Sequence, residues 1–363
     1  MNKGETMRLC RFFLRGAAVA AWACLVGPAA AQTPGRLILV DAPGISGDIV
    51  AVSPIGVEID VRGEAKKVPI ESIREVTFAG EPQSLRAARV AVNRGQPAQA
   101  LEDIAKIEPG EMDGVDQLIA DELEFVKAAA VGGQAAASGE NIAAGLKAVQ
   151  GYVGKHPQTH HLFAMQELLA RLLSRSGKFD EAAAALAPLD RGPPAYRVRA
   201  AAARAGLFYD QKKYDDAARE YAAAAQATTD PKDTASAAQK RAAELGVARC
   251  RSRLGKPDEA VAIVDRVLAA SGADDTEVLG AAYNALGDAM RAAGKDQDAI
   301  IAYLTVDLVH NKAPENRAEA LFNLVELWDK GKSPQRAEEA RQQLLQAYPD
   351  TVWARKLAAP KGS

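Results

Sequence analysis

Apolar and polar positions change their period near residue 80. Upstream of that point Val57-Glu58-Ile59-Asp60-Val61 alternates apolar and polar with period two, the mark of a half-buried strand. Four further short runs, at 37–40, 48–52, 66–69 and 75–78, are set apart by Gly44, Gly47, Gly56 and Gly63. Residues 36–79 therefore predict five short strands in a small barrel or curled sheet. From Ser84 onward the period is helical, and the pattern repeats. Five segments align on one alanine: Gly177-Lys178-Phe179-Asp180-Glu181-Ala182, Lys212-Lys213-Tyr214-Asp215-Asp216-Ala217, Gly255-Lys256-Pro257-Asp258-Glu259-Ala260, Gly294-Lys295-Asp296-Gln297-Asp298-Ala299 and Lys332-Ser333-Pro334-Gln335-Arg336-Ala337. The anchor alanines lie 35, 43, 39 and 38 residues apart, room for one helix pair per unit. Two fainter units precede them. One centres on Gly95-Gln96-Pro97-Ala98-Gln99-Ala100; the other joins helices at 115–130 and 141–153, exiting at Pro157, through a flexible connection at 131–139.

These repeats resemble the tetratricopeptide family, whose first helix carries a bulky residue, Leu-Gly and an aromatic, and whose second carries Ala-x3-Phe before an exit proline. The fullest copy is Tyr283, Leu286-Gly287, Met290, Ala299 and Tyr303. Another is Leu321, Leu324-Val325, Trp328, Ala337 and Pro349, with Arg341 in place of the second-helix aromatic. Ala205 and Tyr221 fit in the unit anchored at Ala217, and Pro194 and Pro349 each fall twelve residues after an anchor. The resemblance implies a mainly α fold: a tetratricopeptide-like α-solenoid over 84–357, with about five clear and two faint helix pairs, and a short tail at 358–363. Before it stands the small β-barrel-like module at 32–82. Pro69-Ile70-Glu71-Ser72-Ile73 would supply the short helical turn that precedes the last strand of SH3-like and Sm-like barrels.

In the tetratricopeptide family, ligand-facing side chains come from the first helix of each pair. Carried onto this chain, those positions are Arg171 and Arg175, then Arg199, then Arg249 and Arg253, with Arg89 in the faint first unit. Later units place Asp288, Glu326 and Asp329 there. Arg171/Arg175 and Arg249/Arg253 are each spaced four apart and so share a helix face. The resemblance implies a protein or peptide partner, and the arginines point to an acidic one. Asp288 stands where the family's chaperone clamp would use an asparagine, which argues against that clamp.

The first 31 residues read differently. Lys3, Arg8, Arg11 and Arg15 lead into the apolar stretch 16–26, Gly27-Pro28 breaks it, and Ala29-Ala30-Ala31 offers an A-x-A site, the pattern of a secretory signal peptide. The apolar stretch falls short of the roughly 20 residues of a spanning helix. Trp22 in the small-residue box argues against lipidation at Cys24. Cleavage after Ala31 would remove Cys10 and Cys24 and leave only Cys250, which excludes an intramolecular disulfide and suits buried packing. The final stretch, Gln346-Ala347-Tyr348-Pro349-Asp350-Thr351-Val352-Trp353-Ala354, resembles the last repeats of periplasmic and outer-membrane-associated tetratricopeptide proteins of the Tol-Pal and outer-membrane-assembly type. Export to the periplasm or cell envelope is the expectation, with any membrane association peripheral.

Composition agrees with slim, closely packed helices: 48% of residues are hydrophobic but only 5% aromatic. The formal charge of −2 becomes −5 without the leader's four basic residues and Glu5, which gives no reason to expect nucleic acid. No catalytic or cofactor motif stands up. Gly331-Lys332-Ser333 echoes a phosphate loop, but Glu326 occupies the position of its first glycine. Gly44-Ile45-Ser46-Gly47-Asp48 lacks the final glycine of a nucleophile elbow. His156, His160 and His161 cluster, yet Pro157 sets His156 and His160 across a turn and no acid is adjacent, so no metal is expected there. His310 stands alone. Asp180-Glu181, Asp215-Asp216 and Asp258-Glu259 recur at one repeat position, where they would complement a helix dipole. The chain is thus expected to be a non-catalytic protein-interaction scaffold without cofactor. The alternatives are an oligomeric envelope protein assembled through its β module, and a non-catalytic subunit of an envelope enzyme complex.

Overall fold

The computed structural model describes residues 33–358 apart from 41 and 231. The expected leader, its cleavage site and residues 359–363 lie outside the described residues.

All five expected strands form: β1 (Thr33–Leu39), β2 (Ile45–Ser53), β3 (Gly56–Val61), β4 (Glu64–Pro69) and β5 (Ile73–Phe78). The sheet is antiparallel throughout, in the order β4-β3-β2-β1-β5, and a 3-10 turn at Ile70–Ser72 precedes β5 where the sequence placed one. Barrel closure, however, does not occur; β4 and β5 remain the two edges. The reason lies in where the apolar face goes. Leu37, Ile49, Ile59, Val76 and Phe78 form one continuous core with Leu85 and Ala88 of the first helix, so helices cover the face that a barrel would have turned on itself.

Fifteen α-helices follow among the described residues. Seven pairs can be traced: α1 (Gln83–Asn93) with α2 (Pro97–Ala105), α3 (Gln117–Ser138) with α4 (Ile142–Lys155), α5 (Leu162–Arg175) with α6 (Phe179–Ala185), and α7 (Pro194–Asp210) with α8 (Tyr214–Ala225). Then come α9 (Thr234–Arg253) with α10 (Pro257–Ala270), α11 (Thr276–Ala292) with α12 (Asp296–Leu308), and α13 (Pro314–Lys330) with α14 (Pro334–Ala347). A terminal helix, α15 (Val352–Ala358), packs on α13 and α14 and also touches α3. First helices pack on first helices, α7 on α9, α9 on α11 and α11 on α13, and so form one layer of a tetratricopeptide-like solenoid.

The anchor alanines explain the pairing. Ala182, Ala217, Ala260 and Ala299 have no exposed surface and Ala337 has 1%. A methyl group at each crossing lets two helices approach closely. Five residues before each anchor the chain turns through the left-handed region, at Gly177, Gly255 and Gly294 and, without a glycine, at Lys212 and Lys332. The Gly331-Lys332-Ser333 segment is accordingly an inter-helix turn. The paired acids sit in the first turns of α6, α8 and α10, as the dipole favours. Cys250 is fully buried, and burial pushes its thiol up to about 11.

Three local expectations change. Residues 131–139 are not a flexible connection, because α3 runs unbroken to Ser138. A Cβ on Gly132 would come within 2.5 Å of Val149 and 2.9 Å of Leu168, so this glycine permits close helix packing. Pro194 is the first residue of α7 and not the exit of the preceding helix; α6 ends early, before a 3-10 turn at Ala187–Arg191 that contains Pro188. Arg89 does not face a groove but is 2% exposed within the core.

Candidate functional site

The first helices α7, α9, α11 and α13, closed at one end by α15, line a concave cavity of about 630 Å³. Its aromatic walls are Tyr209, Phe322 and Trp353. Four cations, Arg249, Arg253, Arg291 and Lys356, face it together with Asp288, Glu319 and Glu326, which leaves one positive charge in excess.

The repeat geometry positions these groups, since residues one unit apart on successive first helices stack side by side. Arg249 is bound bidentately by Glu319, at 2.9 and 2.8 Å, across the width of the cavity. Burial disfavours its charge, but Glu319 and Asp288 raise its pKa above the ordinary arginine value. Arg291 donates to Asn323 and to Glu326, the latter at 3.0 Å. Asp288 accepts the Tyr303 hydroxyl at 2.8 Å. Arg253 donates only its Nε, to the Tyr209 hydroxyl at 3.0 Å, and has no ion pair among the described residues. Lys356 stands over the Trp353 ring, 4.3 Å from its centroid, in a cation–π contact. Burial lowers the Lys356 pKa; Glu319 opposes this, and Arg175 and Arg253 add to it.

The structure thus brings Arg249 and Arg253 into the lining of one cavity; the other expected arginines lie outside that lining, Arg175 still near enough to act on Lys356. Arg199 pairs with Glu167 at 2.5 Å. Arg171 and Arg175 lie exposed on α5, Arg175 over the end of α3 at Gly139, and neither has an ion pair among the described residues. Of the expected acids, Asp288 and Glu326 line the cavity, whereas Asp329 faces Arg341 of α14 at 3.3 Å. Arg291 and the α15 pair Trp353 and Lys356 were missed. Arg291 was legible as a first-helix position next to Asp288; α15 was not, because nothing local says that the terminal helix folds back over α13.

A second constellation lies where the β-sheet meets the first helices. Arg89 of α1 binds Glu81 bidentately at 2.7 and 2.8 Å and reaches Glu75 of β5 at 3.1 Å and Glu122 of α3 at 3.3 Å. The other Glu122 oxygen meets His161 Nε2 at 2.8 Å. The loop between α4 and α5 carries all three clustered histidines. His156 bonds Glu124 at 2.8 Å, and the His161 ring stacks on Phe125 with centroids 3.4 Å apart. Burial would raise the pKa of Glu122, but His161, His160 and Arg89 hold it at about 2. A cavity of about 240 Å³ opens beside this loop, between Val52 of β2, Leu118 of α3 and Tyr152 of α4.

No family model and no curated protein matches the chain. Among solved structures it is similar to NprR, described in complex with its cognate peptide NprX, at 12% identity and a TM-score of 0.45, over 76% of this chain and 81% of that one. It is also similar to a Rap protein complexed with competence and sporulation factor, at 12% identity and a TM-score of 0.43, over 76% and 77% of the two chains. A third similar structure is pilF of Pseudomonas aeruginosa, at 16% identity and a TM-score of 0.34, over 60% and 89%.

Proposed function

We propose that the chain is a non-catalytic scaffold of the bacterial cell envelope that holds an extended acidic segment of a partner protein in its concave cavity. One observation carries this: Arg253 and Lys356 face the cavity without an ion pair among the described residues, above the aromatic walls of Tyr209, Phe322 and Trp353. Aromatic surface supplies non-directional burial, and the two cations supply charge-assisted hydrogen bonds to carboxylates. Arg249 contributes differently. Already satisfied by Glu319, it braces α9 against α13 and sets the width of the cavity. Arg171 and Arg175 extend the cationic row along α5, and Arg199 adds a guanidinium shared with Glu167.

The expected leader with its A-x-A site and the Tol-Pal-like last repeat support the envelope compartment. The strand order and the turn at Ile70–Ser72 support reading the sheet as an SH3-like module left open. Its edge strand β4 exposes Glu64, Lys66 and Lys67, charges that discourage edge-to-edge pairing and so speak against assembly through the sheet.

The test is fluorescence anisotropy with two labelled peptide pools, one Asp/Glu-rich with interspersed aromatics, the other its Lys-substituted counterpart. Binding of the acidic pool, weaker at higher salt and abolished in the Arg253→Glu/Lys356→Glu double variant, is the expected result. Equal binding of both pools, or full affinity in the double variant, would overturn the proposal.

A further inference from the structure

His160 stands out among the buried polar side chains because both of its polar atoms are unsatisfied. Both of its ring nitrogens are buried, and neither has a hydrogen-bond partner among the described residues. A neutral imidazole carries one donor and one acceptor, and buried polar groups of native proteins are almost always satisfied. The ring lies against His161, with centroids 3.8 Å apart, and close to the Glu122 carboxylate. One ligand atom each from Glu122, His160 and His161 lies within 4.8 Å of the others.

We propose that Glu122, His160 and His161 bind one divalent transition-metal ion of the zinc class, with the adjoining cavity supplying its entry path and a water as fourth ligand. Two imidazole nitrogens and one carboxylate oxygen suit zinc and its borderline neighbours and do not suit calcium or magnesium, which take oxygen ligands. Zinc–ligand distances of about 2.0–2.2 Å require the three donors to draw closer together. The His160 ring, held by no hydrogen bond among the described residues, can make that adjustment. The ion takes the place of the hydrogen between His161 Nε2 and Glu122, leaving a neutral imidazole ligand with its hydrogen on Nδ1.

The surroundings are those of a supported site. The second Glu122 oxygen is fixed by Arg89, and the His161 ring is clamped on Phe125. The His161 backbone donates to the Thr159 hydroxyl, which is in turn bonded to Tyr152 at 2.8 Å. Such outer contacts orient ligands and sustain affinity. Charge also favours a cation: Arg89, with Arg86 on Glu81 at 2.9 Å, is still outnumbered by Glu75, Glu81 and Glu122. Bound metal would pin the loop between α4 and α5 to α3, beside the β-sheet.

Full-length protein, stripped with chelator and dialysed, is titrated with zinc chloride by calorimetry. One equivalent should bind, with a rise in Tm, and His160→Ala should weaken binding about tenfold or more while His310→Ala leaves it unchanged. Cobalt(II) offers a readout on the unsubstituted protein: two sets of paramagnetically shifted imidazole resonances and the intense visible band of a four-coordinate site. Absence of saturable zinc binding would overturn the proposal. So would undiminished binding in a folded His160→Ala variant, or a cobalt complex without shifted imidazole signals.

Discussion

Charge is handled in opposite ways at the two ends of the molecule. At the junction of sheet and helices, Arg89 is withdrawn from water and ringed by three carboxylates; in the concave cavity, Arg253 and Lys356 stay accessible and lack ion pairs among the described residues. Arg89 and Arg253 both occupy first-helix positions of the repeat, so position alone does not decide the role. Surroundings do. Where the sheet covers α1, a first-helix arginine becomes a structural cross-link between β5, α1 and α3. Where first helices line the open cavity, Arg253 keeps an exposed guanidinium outside any ion pair among the described residues.

Arg89→Met should give the largest effect. Removing the cation strips Glu75 of its ion-pair partner and leaves Glu81 with Arg86 and Glu122 with His161 alone, and should cost about 3–5 kcal/mol in urea unfolding. Arg253→Ala should stay within about 0.5 kcal/mol. Equal losses for the two variants would erase the distinction between structural and available charge.

A middle-sized effect tests whether the repeat register builds the cavity walls. Ala260→Phe or Ala299→Phe forces a ring into a helix crossing with no exposed surface and should cost about 1–3 kcal/mol. If thermal melts of both variants match the parent protein, the first helices are not held by these crossings.

The smallest effect is a gain. Lys332 occupies the left-handed region, at φ 56°, where the equivalent turns use Gly177, Gly255 and Gly294. Lys332→Gly should stabilise by about 1 kcal/mol, and Gly294→Ala should lose a similar amount. A loss on Lys332→Gly would mean that the lysine side chain holds that turn by contacts that outweigh its backbone strain.

Much of the fold was legible because it is written in local chemistry. Period-two alternation marks the strands, alanines at a near-constant interval mark the helix crossings, and a glycine or lysine five residues earlier marks each turn. The family resemblance placed Arg249 and Arg253 on the first-helix face, and both line the cavity. Residues 131–139 misled because two adjacent glycines look like a linker. Only the proximity of Val149 and Leu168 shows that Gly132 makes room for a neighbouring helix.

By itself, then, the sequence determined the elements, the repeat and its first-helix arginines, since propensity, turn geometry and helix-crossing sterics act over a few residues. Tertiary structure alone decided that the sheet stays open over α1, that Arg89 is buried, and that α15 brings Trp353 and Lys356 to the cavity. It also supplied the acid that the histidine cluster lacks along the chain. Glu122 stands 39 residues before His161, and the packing of α3 against the following loop closes that gap to 2.8 Å. Charge partners of this kind are set by distance through space, which no local pattern encodes.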